Sequence, residues 1–510
     1  MGRIWAFAAV CATVLMGAPA SAPAATPPPG AAISDNLEYV ARVPGTGEVV
    51  EGKFDDVAGR EVLVLTGRFG FKTFDVSDPA DPKPLDSFIP SDLAAGGYWQ
   101  NEDMELDTRR KLIIGALDPR HTDNPLGLCP AGGSVRNVYC RSGFYVISYA
   151  DPTDLRQVGD FVELPSGHTS SCIDQCRYIW TGGPARRDDQ GWLGPILTEP
   201  RLIGDGRPIW VTDLTDPSHP KVSDDPIDLW RNDGYTDYSH DVNVDRNGIA
   251  WVSGRGGIRG WATAGLHRDP YADQFRQATP IDPVLVAGGG VGGTAQPVMF
   301  MHNSERPTGD AVVASGVATG NVLVGTEEDF TRPCGASGKI VLSDLTDSWG
   351  GEGSANSTLE IPYRMKPLDT FHPFVDTPET ANPDLGCSAH YFEIRASTLA
   401  GAWYGQGLRL LDVSDARNVR QIGYYRVTGT DPATNPSSNS WDTEWRNNRI
   451  VYLFDMTRGV EILRLKKDAS ASATMPAVTA PSVESDSLAA QPIGSLDGSG
   501  RFVCPLFTQG

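Results

Sequence analysis

The chain has 510 residues, 64 acidic against 43 basic side chains, a formal net charge of −21 and 40% hydrophobic residues. That balance excludes a protein that grips nucleic acid through its phosphates, which needs clustered Lys and Arg, and the apolar content excludes a wholly disordered chain. In chain order, residues 1–25 read as a secretory signal peptide: Arg3 precedes an apolar run from Ile4 to Met16, and small residues follow through Ala25. Ala20, Ala24 and Ala25 each offer a cleavage point. The run is too short to cross a bilayer, and no later stretch reaches the ~18 apolar residues of a span. The mature chain is therefore expected outside the cytoplasm, secreted or periplasmic, with no membrane span.

Beyond the leader stand Cys129, Cys140, Cys172, Cys176, Cys334, Cys387 and Cys504. In an oxidising compartment disulfides are the default reading. Spacing suggests Cys129–Cys140 and Cys172–Cys176 as local staples and Cys334–Cys387 as a longer bridge, with Cys504 left over.

A short phrase recurs along the chain: "FDVSDPADP" at 74–82, "ISYADPTDL" at 147–155, "VTDLTDPSHP" at 211–220, "LSDLTD" at 342–347 and "LDVSDARNV" at 411–419, with weaker echoes at 280–283 and 463–468. Its late Asp falls at Asp78, Asp151, Asp216, Asp282, Asp347, Asp415 and Asp468, at intervals of 53 to 73 residues. Repeats of that length mark propellers and solenoids. The unit beginning at Ser239 shows four strands in turn: "HDVNVD", "GIAWVSG", "GIRGWAT" and "PVLVAGG". Four antiparallel strands, seven times over, predict an all-β chain folded as a seven-bladed β-propeller over 36–467. The last unit holds only three strands after Ser440, while "NLEYVARV" at 36–43 is similar to the outer strands at 155–164 and 418–427. The N-terminal strand is thus expected to close the last blade, which removes two sheet edges. A closed ring needs no partner to cover an edge, so a monomer is expected. Residues 468–510, rich in Ala, Ser, Thr and Pro, read as a disordered tail.

The D-V-S-D-P phrases, with "SHDVNVD", "CSAHYFE" and "LRLLDVSD", resemble the bacterial LVIVD-repeat propellers over roughly 36–467. That resemblance implies a secreted or surface-attached propeller. "GHTSSC" at 167–172 and His240 are more distantly similar to the selenium-binding protein/methanethiol oxidase propellers, which implies a copper-dependent oxidation.

The innermost strands align on "EDMELD" (102), "HTSSCI" (168), "HDVNVD" (240), "HNSERP" (302), "HYFEIR" (390) and "WDTEWR" (441). One axial column therefore reads Glu102, His168, His240, His302, His390 and Trp441. Neutral imidazoles with a carboxylate suit a divalent transition metal or copper ion, giving His168, His240, His302 and His390 as candidate ligands and Glu102 as a further ligand or base. Asp103 and Asp241, one residue on, are candidates for orienting the imidazoles. The bland alternative is a water-filled polar channel. The second strands end on the same face in Arg68, Asp118, His121, Arg255, Glu327, Glu328 and Asp455. Of these, Glu327 and Glu328 are candidate catalytic groups at a substrate entrance, against the plain reading of loop-tip charges in water. Paired-carboxylate glycoside hydrolysis is a poor fit, because neighbouring strand residues point to opposite faces. The sequence lacks G-x-S-x-G and H-E-x-x-H. Two functions follow: a metal-dependent oxidoreductase acting on a small-molecule substrate, or a non-catalytic scaffold that docks a cell-envelope or extracellular component.

Overall fold

The computed structural model describes residues 25–91, 102–117, 142–164, 166–183, 208–228, 239–254, 257–269, 274–291, 301–307, 309–328, 338–349, 364–373 and 388–480. The repeat has a local physical cause. In Asp75, Asp213, Asp344 and Asp412 the side chain ends a strand and accepts the backbone N–H two residues on, at 3.0, 2.8, 2.8 and 3.1 Å. The second Asp of the phrase does the same: Asp78, Asp151, Asp216 and Asp415 bond the N–H of Ala80, Thr153, Ser218 and Arg417 at 2.9–3.0 Å. Two successive Asx turns fold the chain back into the outer strand.

Seven four-stranded units result, and the fold is a seven-bladed β-propeller. The innermost strands are Val49–Val57, Met104–Asp107, Thr169–Ile173, Asp241–Val244, Met301–Glu305, Ala389–Arg395 and Ser440–Trp445. Second and third strands follow by tight turns, as in Thr398–Trp403 and Gly407–Asp412 of blade 6. The outer strand of blade 7 is Leu37–Arg42, which pairs with Gly459–Leu465 and closes the ring. Ala31–Ile33 adds a fifth strand to blade 6 against Val427, Arg426 and Tyr425. Blade 4 carries an extra hairpin, Leu266–Asp269 with Gln274–Gln277, just before its degraded repeat phrase.

The hydrophobic core is not central. It lies between blades, one cluster at each interface: around Phe71 and Tyr145 between blades 1 and 2, and around Trp251 and Met301 between blades 4 and 5. The axis is thereby left to polar side chains. The expected unstructured tail does not begin at 468. Ala469–Thr474 form a 3-10 helix, and Ala469, Ser472 and Met475 are buried, because Asp468 caps the turn through Ser470 N–H at 3.0 Å and Met475 fills the blade 6–7 core. Cys172 and Cys176 form a disulfide. Cys129, Cys140, Cys334, Cys387, Cys504, Asp118, His121, Arg255 and nearly all of the leader lie outside the described residues. Among the described residues no helix is long and apolar enough to cross a membrane.

Candidate metal centre

The innermost strand of a propeller blade has one free edge, facing the axis. In blades 1, 5, 6 and 7 its pairing with the second strand slips at the same place: between Val49 and Glu51, Met301 and Ser304, Ala389 and Phe392, and Ser440 and Asp442. Such a bulge turns two consecutive residues toward one side. It sets His302 above Asn303, His390 above Tyr391 and Trp441 above Asp442, so that two stacked polar layers line the axis where simple alternation allows one.

The upper layer is a fully buried cluster. Glu102, His168, His240, His302 and His390 have no exposed surface. The Glu102 carboxylate sits among the imidazoles, 2.9 Å from His302 Nε2, 2.9 Å from His390 Nε2, 3.0 Å from His168 Nε2 and 3.8 Å from His240 Nε2. His168 and His240 face each other, Nε2 to Nε2, at 2.8 Å. Neighbouring rings are in contact, with centroids 4.5, 4.1 and 4.0 Å apart around the ring from His168 to His390. Gly183 makes room for His168: a Cβ there would stand 2.1 Å from the His168 Cβ. Val50 and Trp441 complete the ring from blades 1 and 7, both buried.

The outward ring nitrogens set the tautomers. His240 Nδ1 donates to the His302 carbonyl at 2.8 Å, and His390 Nδ1 to the Trp441 carbonyl at 2.6 Å. A neutral His390 then presents a lone pair at Nε2, and that lone pair faces Glu102 Oε1 at 2.9 Å. Two acceptors at that distance need a cation between them, either a proton or a metal ion. Burial works against the proton on the neighbouring rings. It pushes His240 well below the usual histidine range, with the charges of His302 and His168 adding to the effect. It lowers His302 to about 3, His390 adding and Glu102 opposing. Burial alone would raise Glu102, but the neighbouring His168, His302 and His390 outweigh it and hold the carboxyl well below its usual range.

The donor set fits a metal. The ligand atoms of Glu102, His302 and His390 lie within 4.8 Å of one another, as do those of Glu102, His168 and His240, and those of His240, His302 and Glu328. The 2.8 Å between His168 and His240 Nε2 matches two imidazoles at right angles on one ion, since metal–N bonds of about 2.0–2.1 Å place them roughly 2.9 Å apart. Buried Glu102 Oε2 and His302 Nδ1 make no hydrogen bond.

Glu327 and Glu328 do not stand at a solvent-exposed entrance. Both are buried, because the strand ends at Glu327 and Glu328 turns back toward the axis, where its Oε2 lies 4.0 Å from His302 Nε2. The Tyr404 hydroxyl donates to its Oε1. Asp455 is likewise buried, accepting from Asn439 N–H and Ser440 Oγ at 2.8 Å each, whereas Arg68 pairs with Glu48 at 2.9 Å near the surface. Asp103 and Asp241 do not take the imidazole protons shown for His240 and His390; carbonyls do. One step along the strand, their side chains point down the axis instead, and Asp103 accepts Ser170 N–H at 2.7 Å. His219 pairs with Asp216 in an exposed turn, and His267 bonds the Ala264 carbonyl.

The lower layer escapes a reading that follows one column. Glu51, Lys53, Asp103, Glu105, Asp241, Glu305, Glu393, Asp442 and Glu444, with Arg246, Arg306 and Ala396, line a cavity of about 470 Å³. Several of these acids accept a free-edge N–H of the next blade: Glu51 from Met104, Asp103 from Ser170, Glu305 from Ile394, Glu393 from Trp445. Burial raises Glu105 and Glu305 to about 7 and Glu393 to about 8. Burial would lower the Lys53 ammonium, but Glu51, Glu105 and Glu444 outweigh it and hold it well above its usual value. The alternation in "EDMELD", "HYFEIR" and "WDTEWR" carried the signal: every second residue after the axial column is acidic in most blades.

Fold and site together define a β-propeller with a buried axial His/Glu cluster above an acidic cavity. No family model and no curated protein matches the chain. Among solved structures it is similar to the β-propeller domain of Cps50 (Swd1) from Myceliophteria thermophila, with a TM-score of 0.45 and 8% identity over 84% of this chain and 99% of that one. It is also similar to the extracellular domain of the hybrid two-component system BT4673 from B. thetaiotaomicron, with a TM-score of 0.44 and 10% identity over 84% of this chain. The match spans 39% of that second protein. Neither likeness bears on the site.

Proposed function

We propose that this protein is an extracytoplasmic metalloprotein that holds one transition-metal ion, copper by the resemblance to methanethiol oxidase propellers, between His168, His240, His302, His390 and Glu102. The observation that carries the proposal is the facing of the His390 lone pair and the Glu102 carboxylate at 2.9 Å within a fully buried cage, which calls for a cation between them. A copper ion here would supply redox chemistry. The chain's own contribution is to fix each imidazole, His240 and His390 through backbone carbonyls, and to exclude bulk water. Any substrate would be small, to match a cavity of about 470 Å³. The extracytoplasmic setting is supported by the Cys172–Cys176 disulfide and by the leader-like residues 1–25. The LVIVD phrases support the same placement.

The test is elemental analysis of the purified mature protein beside a His168→Ala/His240→Ala double variant. A near-stoichiometric metal lost in the variant is the expected result. Its identity then selects the chemistry: copper or iron for oxidation, zinc for hydrolysis. Absence of metal from the wild type after reconstitution would overturn the reading and leave the docking scaffold.

A further inference from the structure

Several shielded or partly shielded arginines among the described residues have carboxylate partners. Arg458 meets Glu461 at 2.8 Å, Arg306 meets Asp245 at 2.7 Å, and Arg420 meets Asp412. Arg409 and Arg426 break the pattern. Their side chains are 1% and 6% exposed, and among the described residues neither forms an ion pair.

Strand alternation brings the two together. Leu408 and Leu410 pack into the blade 6–7 core, whereas Leu411 packs into the blade 5–6 core. Arg409 therefore projects toward blade 5. Arg409 pairs with Tyr424 in the neighbouring strand, which puts Arg426, two residues on, on the same face. Gln406 ends the 3-10 turn Tyr404–Gln406 between them. Its Oε1 accepts from Arg409 Nη2 at 3.1 Å and Arg426 Nη1 at 3.4 Å, and Gln421 Oε1 accepts from Arg409 Nη1 at 3.3 Å. The oxygen of Gln406 must face the two guanidiniums, so its NH2 is turned the other way. That Nε2 and Arg409 Nε are both buried and have no acceptor. Two like charges thus share one neutral amide oxygen, and the surplus is entirely of donors.

An uncompensated buried charge is expensive, and guanidinium forks match oxyanions in geometry. We propose that Gln406, Arg409 and Arg426 form a second ligand site, separate from the axial cluster, for a small oxyanion of the phosphate or sulfate class. The lowering of Arg409 to about 9 by burial and by the Arg426 charge has the sign expected where the counter-ion is a ligand and not a side chain. The site also adjoins the axial cluster through its turn, because Tyr404, two residues before Gln406, bonds Glu328 beside His302.

The test uses metal-free full-length protein, so that phosphate cannot act through the axial site. Thermal unfolding is followed against inorganic phosphate, and separately sulfate, with ionic strength held constant by chloride. Calorimetric titration with phosphate runs beside it. The expected result is a saturable rise in Tm with oxyanion and none with chloride, by mass action. Arg426→Gln should weaken phosphate binding by about tenfold or more, as for loss of a charge-assisted contact. Arg409→Met should abolish the response while leaving the Tm without phosphate equal or higher, because an unpaired charge has been removed. A wild-type response no larger than that of chloride would overturn the proposal. So would an Arg409→Met protein that still responds, or one that melts earlier and whose wild-type parent shows no calorimetric binding.

Discussion

Substituting Glu102 by Gln separates a metal cage from a hydrogen-bonded plug, because the two readings demand opposite signs. The carboxylate has no exposure and lies 2.9–3.0 Å from three imidazole nitrogens and 3.8 Å from the fourth. Glu102→Gln keeps the shape and one carbonyl oxygen but removes the charge. At an effective dielectric of about 20, a unit charge about 4 Å from another is worth about 4 kcal/mol. The carboxylate's own burial penalty offsets part of this. The net loss for a metal-bound site is then about 3–4 kcal/mol, or a dissociation constant weaker by about two to three orders of magnitude. In the metal-free protein the sign reverses. The new amide N–H can donate to the His390 lone pair that now confronts an acceptor, so stability should be unchanged or slightly higher. Metal affinity is read by competition with a chromophoric chelator at neutral pH, and metal-free stability by denaturant titration. A variant that keeps its metal within about threefold, yet loses about 3 kcal/mol without metal as for a broken buried ion pair, would refute the cage and favour a protonated imidazolium–carboxylate network.

Three further outcomes follow from other parts of the fold. Glu105, Glu305 and Glu393 hold protons up to about 7, 7 and 8; the native state then binds more protons than the unfolded chain between about pH 4.5 and 8, so metal-free stability should fall as pH rises through that window, by up to about 3 kcal/mol each for Glu105 and Glu305 and about 5 kcal/mol for Glu393 before relaxation. Urea titrations at the two ends of the window test this, Glu393→Gln should flatten part of the slope, and a flat profile would contradict the raised carboxyls. Cys172→Ser/Cys176→Ser should cost about 2 kcal/mol from loop closure alone, with some recovery because Asp174, Gln175 and Cys176 can leave the left-handed region they now occupy at φ 51°, 56° and 60°; no change in denaturant midpoint would count against the staple. Deleting residues 25–43 removes the outer strand of blade 7 and bares the edge of Gly459–Leu465, so the truncated chain should self-associate in sedimentation or light scattering, and a stable monomer would refute closure by that strand.

The propeller was legible because its repeat is a turn chemistry: an Asp side chain bonding two residues ahead leaves a sequence mark wherever it recurs. The axial histidines were legible for a related reason, since each begins an innermost strand and can be aligned with its neighbours. What escaped the sequence depends on departures from alternation. The bulges at His302–Asn303 and His390–Tyr391 bring consecutive residues to the axis, so Asp103 and Asp241 belong to a lower acidic layer and not to the imidazoles. Glu328 reads as a loop-tip charge until the turn at Tyr404 folds over it. Arg409 and Arg426 look like ordinary polar positions of alternating strands; only the burial of that face between blades 5 and 6 shows that they lack partners. The polar composition of 468–475 hid a packed turn, because Ala469 and Met475 anchor it in the blade 6–7 core.

The choice between metalloprotein and scaffold turns on what the axis needs merely to be filled. Blade 1 places Val50 in the axial column and blade 7 places Trp441, both buried. Apolar side chains therefore satisfy the geometry of this layer, and an apolar plug would avoid the desolvation of a carboxylate and four imidazoles. A docking module presents its loops from the rim and gains nothing from titratable groups that no partner can touch. Five such groups with zero exposure, two of the imidazoles aimed by backbone carbonyls and all of them converging on one carboxylate, make physical sense if something cationic occupies the space between them.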